Sequence, residues 1–111
     1  MRAILIAWTL PGATKTESSA IAKMLYGQET SSWGGRYVYW RKGFLDDIPY
    51  VKLIRGAFIV RKEDSMKVVR FLEKNDVMLS VREVVLTARD EIMLDTDRTN
   101  EDQQRLLGAN Q

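Results

Sequence analysis

The alternation of apolar and polar positions divides this chain into a short series of elements. Residues 3–10 are almost all apolar and stop at Pro11-Gly12. A run of that kind, bounded by turn residues, reads as a strand buried on both faces and central in its sheet. Thr14 and Glu17 then have the spacing of a capping box, so a helix should begin there. Ile21, Ala22, Met24 and Leu25 give that helix an apolar stripe, and Gly27 is a natural stop. Residues 28–35 are polar and contain two glycines, which reads as a loop; Trp33 is out of character there.

From Arg36 to Lys42 the pattern alternates with period two, so a second strand is expected. Tyr37, Tyr39 and Arg41 should share one face of it, and Arg36, Val38, Trp40 and Lys42 the other. One of these faces is expected to pack inward, with the Tyr37, Tyr39 and Arg41 set left in solvent. Residues 43–50 form a connection with enough apolar residues to pack down. A third strand is expected over residues 51–61, with Gly56 inside it marking a bulge or a close approach by another group. Glu63-Asp64-Ser65 opens a second helix, acidic at its start as the helix dipole favours. Val68, Phe71 and Leu72 form its stripe, and Asn75-Asp76 ends it. Residues 77–86 read as a fourth strand, apolar on both faces, and Thr87 with Asp90 caps a short helix ending near Leu94.

The succession strand, helix, strand, strand, helix, strand predicts an α+β domain. The expected form is a ferredoxin-like βαββαβ sandwich, a four-stranded antiparallel sheet with two helices on one face. It should occupy residues 1–94, with 95–111 an acidic tail; a chain of 111 residues is one domain by size. The other sheet face then has to be covered by polar side chains, by a second copy of the protein, by the C-terminal segment or by a ligand.

The absence of cysteine and histidine removes disulfides, thiolate metal sites, and Ser-His or Cys-His nucleophilic catalysis. There is no P-loop and no Gly-x-Gly-x-x-Gly, and no cofactor is indicated. The carboxylate pairs Asp46-Asp47 and Glu63-Asp64, with Asp95 and Asp97, are the only candidates for a metal-dependent nuclease, and they lack a recognised spacing. A turn and a helix start account for the first two pairs more simply. The N-terminal apolar run is too short for a secretory signal, and no run of about 18 apolar residues is present. The expectation is a cytoplasmic protein with no membrane partner.

Charge changes the picture more than composition does. Residues 1–34 carry three positive and two negative charges, residues 35–76 ten and six, and residues 77–111 four and seven. The basic middle coincides with the aromatic residues, a combination that suits a polyanion with flat bases.

Two segments carry a resemblance to a known family. Leu5-Ile6-Ala7-Trp8-Thr9-Leu10-Pro11 is similar to the first-strand motif of RNA recognition motifs. Arg55-Gly56-Ala57-Phe58-Ile59-Val60, followed by an acidic helix start, resembles a shortened form of their third-strand motif. The resemblance implies bases stacked on the sheet, with Phe58 as a platform; Ile6 stands where those domains carry an aromatic. Together with the second-strand segment, the expected nucleic-acid-binding residues are Trp33, Arg36, Tyr37, Tyr39, Arg41, Lys42, Lys52, Arg55 and Phe58. The partner is RNA or DNA. The alternative is a self-associating interaction module, a homodimer through the open sheet face or an edge.

Overall fold

The computed structural model describes residues 1–95; the expected acidic tail, apart from Asp95, lies outside the described residues. Strand β1 (Arg2–Thr9) is the centre of a four-stranded antiparallel sheet. It is flanked by β5 (Ala57–Val60) and β6 (Met78–Val85), and β4 (Tyr50–Ile54) completes the order β4-β5-β1-β6. The apolar run of β1 is thereby explained, because it has a strand on each side and a packed layer on each face.

Helix α1 (Lys15–Tyr26) starts where the capping pattern puts it: Thr14 Oγ1 accepts from the Glu17 N–H at 3.2 Å. Helix α2 (Lys62–Glu73) opens with Glu63 and Asp64 in its first turn. Both helices pack on one face of the sheet. Ile21, Leu25, Val68 and Leu72 meet Ile6, Trp8, Phe58 and Val60 in one core. The short helix α3 (Ala88–Leu94), capped by Thr87 through the Asp90 N–H at 3.2 Å, lies on the opposite face. There Met93 and Leu94 close over Ala3, Val51, Ile59 and Leu86. Helix α3 thus covers part of the face that the two longer helices leave bare. No described helix is long and apolar enough to cross a membrane.

Two expectations about strands are corrected. Residues 51–61 are not one strand but the hairpin β4–β5, turning at Arg55-Gly56, with a register shift between Lys52 and Ile54. Both strands are apolar on alternate and on consecutive positions, so the periodicity ran through the turn unbroken. Gly56 does mark a close approach: its carbonyl accepts from the Trp8 N–H at 2.8 Å, and a Cβ there would come 2.9 Å from the Trp8 carbonyl oxygen. The segment at 36–42 is not a strand of the main sheet. Its β3 (Tyr37–Arg41) pairs only with β2 (Gln28–Ser32), part of the segment expected to be a loop. These two form a separate hairpin, hereafter the arm, inserted between α1 and β4.

The connection at 43–50 packs down as expected. Phe44–Asp47 is a turn of 3₁₀ helix, Leu45 is fully buried, and Phe44 stacks on Phe71 of α2 with ring centroids 4.2 Å apart.

Candidate nucleic-acid interface

The arm is held at its base and open along its length. At the base, Asp46 is buried and its Oδ2 accepts from the Gly43 N–H and from the Trp40 indole N–H, both at 2.8 Å. Gly27 ends α1 with φ +84°, and Gly43 lies against the backbone of Leu25 and Tyr26. The root of the arm is therefore a close-packed junction of α1, β3 and the 3₁₀ turn. At the tip, Trp33, Gly34 and Gly35 all have positive φ, and the Arg36 N–H donates to the Trp33 carbonyl at 3.3 Å. Glycine suits such a turn because it has no Cβ to clash.

Every residue of β3 is exposed. Trp33 is 78 % exposed, Tyr37 59 %, Trp40 50 % and Tyr39 47 %. The register puts Tyr37, Tyr39 and Arg41 opposite Ser32, Thr30 and Gln28 on one face, and Val38 and Trp40 opposite Ser31 and Glu29 on the other. The expected division of the strand into two faces holds, and Tyr37 and Tyr39 face solvent. The expectation that one face packs inward does not hold, because a two-stranded insertion offers no third layer. Trp33 stays out of the core, and its ring meets that of Tyr37 edge to face, centroids 6.2 Å apart.

The nine expected residues fall into four places. Trp33, Arg36, Tyr37 and Tyr39 lie on the arm. Arg41 and Lys42 lie at its root, where Asp47 sits 2.6 Å from Lys42 Nζ and raises the lysine's pKa by hydrogen bonding. Lys52 and Arg55 lie on the main sheet beside α1. Lys52 sits 4.2 Å above the Tyr26 ring, a cation–π contact, and burial followed by the nearby Arg55 lowers its pKa. Arg55 donates to Ser19 Oγ at 3.0 Å. Phe58 is the correction. It is fully buried in the core, edge-on to Tyr26 and Tyr50, and no base can reach it. Ile6, on the matching position of β1, is buried beside it, so the stacking positions implied by the RNA recognition motif resemblance point into the helical layer.

Of the carboxylate candidates, Asp46 and Asp64 have structural occupations, and Asp97 lies outside the described residues. Asp46 anchors the arm, and Asp64 accepts from Arg61 Nε at 3.1 Å with Lys67 Nζ 3.3 Å away. Among the described residues no cluster of three or more acidic groups could hold a metal ion.

Reading the strands alone misses a second feature of this surface. An open groove of about 540 Å³ runs between α1, the arm root and the Phe44–Phe71 stack, lined by Lys23, Met24, Gln28, Arg41 and Lys42 among others. A second groove continues it along α1, past Lys15, Thr16 and Ser19. Lys15, Ser19 and Lys23 recur at intervals of four, one row on a helix surface, and that spacing was available in the sequence. No protein-family model matches this chain, and no curated protein or solved structure matches it either.

Proposed function

We propose that this protein is a non-enzymatic nucleic-acid-binding domain whose β2–β3 arm presents a basic and aromatic surface to the ligand. The observation that carries the reading is the arm itself. Four aromatic side chains, each about half exposed or more, stand beside Arg36 and Arg41 on a ribbon that contributes nothing to the main core. Exposed aromatic area of this size has a cost in water that a solitary domain has no reason to bear, whereas bases stack on it favourably. The succession of elements left when the arm is set aside is strand, helix, strand, strand, helix, strand. We read that core as ferredoxin-like, with the arm as an insertion. The ligand, RNA or DNA, is met in the cytoplasm on this reading.

The test is a fluorescence-anisotropy titration of labelled oligonucleotides at two salt concentrations. Affinity should fall steeply with salt, since cations displace counterions from phosphates. Tyr39→Ala should weaken binding about 5- to 150-fold, from the ~1–3 kcal/mol that one aromatic contributes per stacked base. Arg41→Ala should weaken it and flatten the salt dependence. Absence of binding at low salt would refute the proposal.

A second reading rests on the sheet face that α3 leaves open. Met78 and Ile54, opposite Thr9 and Ala57, are exposed on the uncovered end of that face, and two copies could pair there. Its test is the mass in solution: a monomer at high concentration excludes it.

A further inference from the structure

The reading above concerns the arm; the two grooves along α1 extend it, and this inference rests on that reading. They share Ala20, Lys23 and Gln28, and so form one continuous channel. Its cations are Lys15 and Lys23 on α1 and Arg41 and Lys42 at the arm root. Among the described residues no aspartate or glutamate lines either groove, although Asp47 pairs with Lys42 from outside. From Lys15 to Lys23 is eight residues of helix, a rise of about 12 Å. The far end has an apolar wall, made by Met24 and the stacked rings of Phe44 and Phe71.

We infer that the ligand is a single-stranded nucleic acid whose phosphodiester backbone lies along this channel while its bases reach the aromatic side chains of the arm. The combination decides between ligands. A row of cations alone would suit any polyanion. An apolar wall inside the same groove has no counterpart on the phosphate surface of a duplex, whose bases are stacked inside. A single strand offers both a charged backbone and unstacked bases. Arg41 belongs to the channel and to the arm, so the strand passes from one to the other without a gap.

The experiment compares a labelled oligo-deoxythymidine strand with a duplex of equal length, using the full chain, the Lys15→Glu/Lys23→Glu double variant, the milder Lys15→Gln/Lys23→Gln pair, and Tyr39→Ala. Both lysines are exposed on the helix, and circular dichroism confirms that each variant is folded. The single strand should bind more tightly than the duplex. Each lysine pair should weaken binding about tenfold or more at low salt and reduce the salt slope by about 1.4, two phosphate contacts at ~0.7 each for single strands. Polyglutamate at matched charge should compete poorly. If Tyr39→Ala weakens binding and neither lysine pair does, the arm stands as the site and the channel is overturned. Preference for duplex, or equal competition by polyglutamate, overturns the single-strand assignment. If the full chain binds no oligonucleotide, the arm and the channel fall together.

Discussion

Gly43 is where the smallest change should do the most damage. A Cβ on it would lie 2.2 Å from the Gly27 nitrogen and 2.5 Å from the Leu25 carbonyl oxygen, both backbone atoms that cannot rotate away. Gly43→Ala should therefore cost about 3 kcal/mol, the upper end of ordinary overpacking. Gly34, at the arm tip with φ +66°, has open space around it. Gly34→Ala should cost only the ~1–2 kcal/mol of a left-handed backbone with a side chain. Urea denaturation of the two variants checks the order, and an equal loss would show that the junction under the arm can relax. Asp46 is the polar counterpart. Asp46→Ala strips the Trp40 indole and the Gly43 N–H of their acceptor and should cost about 1–3 kcal/mol in the same measurement.

At the scale of the element, the arm should be separable from the fold. Glu29 and Trp40 are cross-strand partners, so an Asn-Gly turn can replace residues 30–39 and leave the Trp40–Asp46 anchor in place. Stability should change by less than about 1 kcal/mol, as for surface changes that touch no core. Oligonucleotide binding should be lost. Thermal unfolding and anisotropy on one preparation test both halves; cooperative unfolding destroyed by the replacement would mean that the arm belongs to the core. Phe58→Ala should cost about 3–5 kcal/mol as a large buried truncation, so any loss of binding in that variant reports unfolding and not a lost contact.

At the scale of the whole molecule, two tyrosines tie the sheet to α1. The Tyr26 hydroxyl donates to the Arg55 carbonyl, and burial pushes its pKa from the ordinary 10.0 up to about 12, offset in part by Trp8 and Arg55. Burial pushes Tyr50 up as well, with the Asp46 charge and Tyr26 adding to it. A raised pKa means that the folded state holds the proton more tightly than the unfolded state. The stability from both phenols is complete below pH 10; that from Tyr26 is lost as pH rises from 10 through about 12, and that from Tyr50 is lost over a range that extends to more alkaline pH. Circular dichroism and tyrosinate absorbance, followed together through that range, should show unfolding as the buried phenols ionise. Ionisation of all four tyrosines with the fold intact would contradict this.

The sequence by itself determined the elements whose signals are local. Thr14 and Thr87 cap helices because a hydroxyl reaches an N–H three residues on, whatever the surroundings. The apolar run of β1 demanded a central position, and the mixed α+β class followed from the order of periods. The separate arm was not legible. Gln28–Ser32 has no apolar residue, so period two left no trace in it, and only pairing with β3 makes it a strand. The β4–β5 turn was hidden because both strands are apolar enough to read as one. Tyr39 and Phe58 look alike in sequence, aromatic residues on alternating strands; one ended in solvent and the other in the core because register and layer are non-local properties. Lys15 and Lys23 showed their spacing along α1, but only tertiary structure set Arg41, Lys42 and the Phe44–Phe71 stack beside them, since a groove exists only between elements distant in the chain.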